Sequence, residues 1–292
     1  MRTTVLVSAV LLFAVGGVAQ AQEGELHGVL DMTYQSKYLW RGIDVYEDKS
    51  AMQPSLMLDL YGTGFGLSAE GHRANSSGFE TTERWDFTLF YKNAICPEEA
   101  LATQYMIWWR YFYFPDAPLD LGAVPPGTSG DIDLQEMAAL LSWPNILPVE
   151  GLVPSYVLVK LWPAKSDSFV GSQNLGGAFP GTASGFAHIF MLDYGIPIEG
   201  LMPETPEQVL RLHAEAVFND GVDPRGIGVD HDWTNAVFGI ATDFELAENV
   251  KLTPGLYYQV TMDESIQSGP PGTGQDHDQD ETWVTLGMSY SF

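Results

Sequence analysis

Apolar and polar residues alternate with a period of two along much of this chain, and this pattern constrains the fold more than any other feature. Successive side chains of a β-strand point to opposite faces, so the alternation predicts strands with one apolar face and one polar face. The clearest segments are Leu26–Arg41, Met52–Leu60, Phe65–His72, Phe79–Lys92, Gln208–Asn219, Lys251–Met262 and Glu281–Phe292.

Five further segments bring the predicted set to about twelve strands. Thr103–Phe114 is aromatic on both faces, Asp131–Trp143 has helical propensity, and Leu152–Trp162 is apolar nearly throughout. Phe186–Tyr194 and Thr234–Phe244 complete the set. An even number of strands is what single-chain outer-membrane barrels require.

Hydropathy separates a barrel from a helical membrane bundle. The mean hydropathy is −0.03, and no stretch beyond the N-terminal region approaches the roughly 20 apolar residues that a spanning helix needs. A barrel keeps its overall hydropathy near that of a soluble protein, because half of each strand faces lipid and half faces a polar lumen. We therefore predict an all-β fold, a transmembrane antiparallel up-and-down β-barrel of about twelve strands.

The N-terminus has the form of a secretory signal. Arg2 precedes an apolar run from Val5 to Val18, and the small-residue motif Ala19-Gln20-Ala21 follows it. We expect residues 1–21 to be a signal peptide cleaved before Gln22, and residues 22–292 to form the barrel. The only cysteine, Cys96, can form no internal disulfide and does not follow the signal, where a lipid anchor would attach.

The connections between the predicted strands alternate in length, as they do in outer-membrane barrels. Turns near Gly62 and in three further connections are predicted on the rim of the N-terminus, and long Pro/Gly/Ser-rich segments on the opposite rim. Gly195–Glu207 is an exception on the near rim, for which we predict a short helix through Pro206 and Glu207.

Prolines within the predicted strands count against the barrel, because each removes a backbone donor from the hydrogen-bond ladder. These are Pro54, Pro154 and Pro254.

The last strand ends in Phe292, with apolar residues at alternate positions before it. This row, formed by Leu286, Met288, Tyr290 and Phe292, resembles the terminal signal that the barrel-assembly machinery reads in Gram-negative outer-membrane proteins. An amphipathic strand that ends a soluble β-sandwich is the alternative.

The opening of the chain resembles the TorF-family porins. The resemblance lies in Gly28–Asp44 with its Arg41-Gly42-Ile43 turn, in Met52-Gln53-Pro54-Ser55 and in Gly64-Phe65-Gly66-Leu67, and in the terminal strand. Tyr34–Trp40 departs from the family's more usual Ser-Asp-Tyr opening, and the loops are longer and more acidic. The resemblance implies a porin fold in the outer membrane more firmly than it implies a substrate.

The net charge of the chain limits the kinds of partner that it can bind. The formal net charge is −25, from 13 Lys and Arg against 38 Asp and Glu, which argues against nucleic acid and favours cations. Charged residues on the polar strand faces either line a pore or pair with one another across a filled lumen, and the sequence leaves both open. The pore-lining candidates are Asp31, Lys37, Arg41, Asp59, Glu70, Arg84, Asp86, Arg110, Arg211, Glu215, Asp243 and Lys251.

Acidic residues alternate in Asp276, Asp278 and Asp280, which resembles the first half of a calcium loop. Glycine at the sixth position and glutamate at the twelfth are missing, so an EF-hand is excluded. With Asp230-His231-Asp232 this loop is a weak candidate for binding divalent cations or bridging lipopolysaccharide, against the alternative of a solvated acidic loop. We predict no cofactor.

Catalytic motifs are missing from the sequence, which has no Gly-x-Ser-x-Gly, no His-Glu-x-x-His and no phosphate-binding glycine loop. His72, His188 and His213 lie on predicted strands without a nameable nucleophile, so we predict no enzyme. Aromatic residues suggest interfacial girdles at the level of the lipid headgroups. They are Tyr38, Trp40, Trp85, Trp108, Trp109, Tyr111 and Tyr113.

The function predicted from the sequence is passive diffusion of small solutes, with a preference for cations, through an outer-membrane porin. Its partners would be outer-membrane lipid, lipopolysaccharide, the barrel-assembly machinery and the solutes. Three alternatives remain: a closed structural barrel, an outer-membrane lipid-modifying enzyme, and a surface receptor or adhesin that uses the acidic extracellular loops.

Overall fold

In the computed structural model, the described residues are 25–80, 82–116, 133–164, 185–202, 205–221, 231–262 and 280–292. They form fifteen strands and no helix, and so none that is long and apolar enough to cross a membrane. The predicted signal peptide lies outside the described residues. The strands are β1 (His27–Gln35), β2 (Leu39–Trp40), β3 (Ile43–Asp44), β4 (Ala51–Asp59), β5 (Phe65–Ala74), β6 (Arg84–Ile95), β7 (Thr103–Tyr113), β8 (Leu134–Ser142), β9 (Leu152–Pro163), β10 (Gly185–Met202), β11 (Thr205–Asp220), β12 (His231–Thr242), β13 (Phe244–Ala247), β14 (Val250–Thr261) and β15 (Glu281–Ser291).

Twelve of these strands close into one antiparallel barrel. β4 to β12 pair in chain order, β1 pairs with both β4 and β15, and β14 pairs with both β15 and β12. Each strand of the wall therefore has two partners, so the sheet has no free edge along the barrel. The predicted all-β, up-and-down barrel of about twelve strands is confirmed.

The two faces of the wall differ in the way that the alternation predicts. On β6, Arg84, Asp86 and Thr88 are buried inside, whereas Phe87 and Leu89 point outward and are exposed. The same division holds around the barrel, so the outer surface is a belt of large apolar side chains suited to lipid. Members of the belt include Leu30, Ile107, Phe190, Phe238, Leu256, Leu286 and Met288.

Two of the strand prolines lie where a ladder is interrupted. β4 and β5 pair at Met52↔Arg73 and again at Ser55↔Glu70, with no pairing in between, where Pro54 lies. Pro254 of β14 faces the break between β12 and β13, while its other side keeps the pairing with Leu286. A closed barrel can thus contain these residues at a small local cost in hydrogen bonds.

The helix predicted through Pro206 and Glu207 is wrong. β10 and β11 continue past the rim as one hairpin, with register from Gly195↔Arg211 to Glu199↔Glu207. Pairing with the opposite strand satisfies the backbone over more residues than one helical turn would. β9 and β12 pair with this hairpin no further than Tyr194 and Leu210, so its tip projects beyond the wall.

The first strand ends at Gln35, not at Arg41. Residues 36–50, here named the inner loop, leave the wall and carry the small β2–β3 hairpin, in which Trp40 pairs with Ile43. Arg41 and Gly42 form its two-residue turn with φ of 50° and 87°, the left-handed conformation that such hairpins require.

Candidate functional site

The inner loop lies inside the barrel. Its side chains Tyr38, Leu39, Trp40 and Tyr46 are at most 7% exposed and pack against inward residues of the wall. The expectation that Tyr38 and Trp40 face lipid or belong to an aromatic girdle is therefore wrong. Packing against other aromatic rings buries these side chains on all sides, which a lipid-facing position does not.

The wall around the inner loop is apolar over much of its circumference. Inward side chains of β7 to β10 make a continuous cluster with the aromatic residues of the loop. A water-filled lumen would leave these inward side chains wet, so their burial means that the loop fills the barrel at this level. The cluster includes Met106, Phe112, Leu134, Ala138, Leu140, Val157, Val159, Leu161, Ala187 and Ile189.

The tip of the loop is held by a buried ion pair with the opposite wall. The Arg41 Nη2 group donates to the Glu136 carboxylate on β8, and Glu136 is wholly buried. The Trp108 indole donates a second hydrogen bond of 2.8 Å to Glu136 Oε1. The Nε and Nη1 groups of Arg41 are buried and have no acceptor among the described residues. The tip is thus anchored through one end of the guanidinium only.

The loop's aromatic side chains meet a second charged group. The guanidinium carbon of Arg84 lies 4.6 Å from the Trp40 ring centroid, and Arg84 donates to the Tyr38 hydroxyl at 2.9 Å. Asp86 balances the charge of Arg84, accepting from its Nε at 3.0 Å. Tyr38 also stacks on the His72 ring, with centroids 5.0 Å apart. Cation–π contacts of this kind are stronger where water is excluded.

The far side of the loop is tied to β14 and β15. The Lys37 ammonium pairs with Glu281 at 2.5 Å and also contacts Asp48, and the Gln259 amide donates to the Gly42 carbonyl at 3.1 Å. Asp44 accepts backbone hydrogen bonds from the loop itself, including one from Tyr46 at 3.1 Å. Burial raises the pKa of Asp44 to about 6.

Below the inner loop, towards the rim of the N-terminus, the inward side chains are only partly buried. We call this space the vestibule. Neither Asp31 nor Glu70, which face it, forms an ion pair with a lysine or arginine in the described part of the chain. The nearest described polar partners are Thr33, which donates to Asp31 at 2.7 Å, and His72, whose Nε2 lies 3.9 Å from Glu70 Oε1. The other partly exposed inward residues include Val29, Ser55, Met57 and Ser289.

The twelve predicted pore-lining residues fall into three groups. Asp31 and Glu70 face the vestibule, and Lys37 and Arg41 belong to the inner loop instead of the first strand. The remaining eight lie along the wall, and their described contacts are mostly with one another or with nearby polar groups. Examples are Asp59 with Lys92, Arg84 with Asp86, Arg110 with Thr88, Arg211 with Asp243, Glu215 with His213 and Lys251 with Glu245.

Glu136 is the main residue that the sequence analysis missed. Its segment was ambiguous between helix and strand, but Glu136 is the one charged residue in β8, whose other residues are mostly apolar. An isolated charge in such a strand is the signal that would have identified it. The contacts of three further residues were also missed, and no pattern in the sequence predicts them: Tyr46 of the inner loop with His72, Gln53 with His72, and Gln259 with Gly42.

Only some of the residues predicted to form the aromatic girdle lie on the outer face of the barrel. Trp85, Trp109 and Tyr113 are exposed on the outer face, and Tyr111 lies on the same face of β7. Trp108 points inward and is 3% exposed.

The three strand histidines contact carboxylates, an amide or a phenol. His72 bonds Asp86 and Gln53, His188 bonds the Tyr156 hydroxyl at 2.7 Å, and His213 bonds Asp193 at 2.7 Å. Such contacts orient an imidazole without supplying a serine or cysteine nucleophile.

Of the three weak metal candidates, only Asp280 belongs to the described residues. Asp276 and Asp278 lie outside them, and Asp280 accepts hydrogen bonds from the Tyr258 hydroxyl and the Thr261 amide. Asp44, Asp48 and Glu281 lie close enough to share a cation. The Lys37 ammonium, however, already contacts two of these three carboxylates.

The terminal residue is fixed against the first strand. Phe292 exchanges two backbone hydrogen bonds of 2.9 Å with Gly28, and its ring covers that glycine so closely that a Cβ there would lie 2.3 Å from it. Phe292 also stacks on Tyr290, with centroids 6.1 Å apart. The predicted row Leu286, Met288, Tyr290 and Phe292 is exposed on the outer face.

Comparison with known proteins found no matching family model and no matching curated protein. Among solved structures, the chain resembles the KdgM porin at 9% identity and a TM-score of 0.45, covering 90% of this chain and 99% of that one. It resembles the COG4313 outer membrane channel from Pseudomonas putida F1 at 10% identity and a TM-score of 0.47, with 92% and 96% covered. The translocator domain of the autotransporter NalP from Neisseria meningitidis gives 12% and 0.39, with 94% and 91% covered. These likenesses are too distant to argue a function, and the barrel assignment rests on the strand pairing of this chain.

Proposed function

We propose that this protein is a porin-like channel of the bacterial outer membrane that passes small solutes and is constricted by its inner loop. The observation that carries the proposal is a closed barrel with an apolar outer belt around an interior that has a charged, partly exposed vestibule. The signal-like N-terminus and the resemblance to TorF-family porins are consistent with this location.

Outer-membrane lipid and lipopolysaccharide would surround the apolar belt, and the barrel-assembly machinery would read the terminal row that ends in Phe292. The acidic residues of the vestibule favour cations over anions, because unpaired carboxylates at a pore entrance raise the local concentration of counter-ions. Asp31 and Glu70 are the residues that we expect to set this preference.

Planar-bilayer recording tests the channel directly. We expect small conductance steps from the wild type, and larger steps when residues 38–48 are replaced by a short Gly-Ser linker, because the linker empties the level that the inner loop fills. Failure of both proteins to give discrete steps in any salt would refute the channel.

A salt gradient across the same bilayer tests the cation preference. The double variant Asp31→Asn/Glu70→Gln should move the reversal potential towards zero. Glu199→Gln is the matched control, because Glu199 is exposed on the projecting hairpin, outside the lumen. An equal shift in the control would contradict the roles of Asp31 and Glu70.

A closed structural barrel is the second candidate, and the filled level around the inner loop favours it. The loop-replacement variant separates the two functions. A barrel that folds normally and still does not conduct after the loop is removed would be structural.

A further inference from the structure

The inner loop places an aromatic ring and a cation side by side in a preformed part of the wall. Trp40 supplies the ring, and the guanidinium carbon of Arg41 lies 5.0 Å from the centroid of that ring. Different wall residues contact the two groups: Arg84 and Phe112 contact the Trp40 ring, and Glu136 pairs with the Arg41 guanidinium. The loop tip thus has the form of a ligand bound in a site.

The ring part of this site recognises a π-face. Arg84 lies over the Trp40 ring at 4.6 Å, and Phe112 meets it edge-on, with centroids 5.9 Å apart and planes at 68°. Both contacts come from the barrel wall, so they stay in place when the loop moves. A planar aromatic ring of another molecule would satisfy the same two groups.

The charged part of the site requires a cation. Glu136 is wholly buried, and without Arg41 it keeps the Trp108 hydrogen bond but loses the ion pair with the loop. A buried carboxylate deprived of its cation is strongly destabilised, so whatever replaces the loop tip must bring a positive charge. A neutral or anionic aromatic molecule would leave Glu136 without this ion pair, and only the Coulombic attraction of Arg110 would then offset its charge.

Arg41 itself is held in a way that allows replacement. Only its Nη2 group bonds Glu136, and its buried Nε and Nη1 groups find no acceptor in the part of the chain that the structure describes. Its backbone has a φ of 50°, which is unfavourable for a residue with a side chain. An incoming ligand with fewer donors would therefore leave fewer of them unpaired.

We propose that Trp40 and Arg41 occupy a binding site for small aromatic cations, formed on the wall by Arg84, Phe112, Trp108 and Glu136. Such solutes displace the loop tip and pass through the space that it vacates. This inference rests on the channel proposed above for the passage step only, because the site itself can be detected by binding. The acidic vestibule leads to it from the rim of the N-terminus.

Calorimetric titration of the refolded protein in detergent with tryptamine tests the site. Tryptamine carries the indole of Trp40 and a primary ammonium. In the variant Trp40→Ala/Arg41→Ala we expect its apparent affinity to rise by about tenfold or more, because the competing loop side chains no longer occupy the site. Adding Glu136→Gln should abolish that binding, and indole-3-acetate, which has the same ring and the opposite charge, should not bind.

The control variant is Trp233→Ala/Arg73→Ala, which removes an exposed tryptophan and an exposed arginine from outside the lumen and should leave tryptamine binding unchanged. If the double variant of the loop does not fold, Arg41→Gln alone takes its place and should show a smaller rise in affinity. Tryptamine affinity that is indifferent to Glu136, or equal binding of indole-3-acetate, would overturn the site. Binding as expected without any conductance would refute the channel and leave the site standing.

Discussion

The ion pair between Arg41 and Glu136 shows how much depends on single residues inside this barrel. Both side chains are buried, Glu136 wholly, and Arg41 is the main counter-charge of Glu136. Buried pairs contribute little net stability compared with apolar residues, but removing one partner leaves a charge that nothing solvates. Rim pairs such as Lys92 with Asp59 lie partly in water and are weaker.

We therefore expect Glu136→Gln to lower the free energy of unfolding by about 3–5 kcal/mol, because Arg41 is left buried without its carboxylate. The measurement is urea unfolding of the refolded protein in micelles, followed by tryptophan fluorescence. Asp59→Asn, which breaks the partly exposed pair with Lys92, should cost no more than about 1 kcal/mol. Equal losses of unfolding free energy in the two variants would show that burial does not make the Arg41–Glu136 pair more important for stability.

At the scale of elements, the inner loop and the β10–β11 hairpin contrast. The loop has no long strand of its own and is held by contacts with β5, β6, β8, β14 and β15. The hairpin is regular, yet β9 and β12 pair with its strands no further than Tyr194 and Leu210, and Gly195 adds one backbone hydrogen bond to Gly151. Docking of the inner loop should therefore respond to changes elsewhere in the barrel. Changes at the tip of the β10–β11 hairpin should not affect the barrel.

The docking of the inner loop should depend on pH through Asp44. Burial raises the pKa of this carboxyl from 3.8 to about 6 in the docked loop, so the docked state binds the proton more tightly than the undocked one. The resulting stabilisation is complete below pH 4 and is lost as the pH rises through 6. Wild-type conductance should thus be lower at pH 5 than at pH 7.5.

The variant Asp44→Asn isolates this effect from the titration of histidines and other carboxylates. It should reduce the difference in conductance between pH 5 and pH 7.5. An unchanged difference would mean that other groups control the loop.

Shortening the projecting hairpin should leave the barrel intact. Deleting residues 199–207 and joining the paired residues Ile198 and Gln208 by an Asn-Gly turn removes the end of the hairpin, whose described residues pair with no wall strand, and it retains Gln208, whose amide donates to the Asp243 carbonyl at 2.7 Å. Thermal unfolding should show a change of no more than about 1 kcal/mol, the range typical of surface changes. A larger loss would reveal a structural role for the hairpin.

At the scale of the whole molecule, the outer face of the wall is apolar and suits lipid, whereas the inner face carries the charged residues. Leu89 lies in the middle of β6 and Ile95 at its end on the near rim, and both point outward. In a bilayer, Leu89→Arg should cost about 2–4 kcal/mol and Ile95→Arg about 0–1 kcal/mol, because the cost of a charge falls towards the interface. Folding titrations into lipid vesicles measure both, and equal costs would argue against a membrane-spanning orientation of β6.

The sequence by itself determined the class of fold, because a two-residue period imposes one apolar and one polar face wherever a strand forms. β6, β14 and β15 could be predicted with their faces from that period alone, and the same period predicts Asp31 and Glu70 on the polar face of their strands. The period carries no information about partners far apart in the chain. Only the tertiary structure decided that Tyr38, Trp40 and Arg41 leave the first strand, since the contacts that hold them come from Arg84, Phe112 and Glu136 on other strands. The local alternation continues through Trp40 and predicts a longer first strand. Contacts in the lumen override this tendency, because the lumen offers aromatic rings and counter-charges that a lipid-facing strand does not.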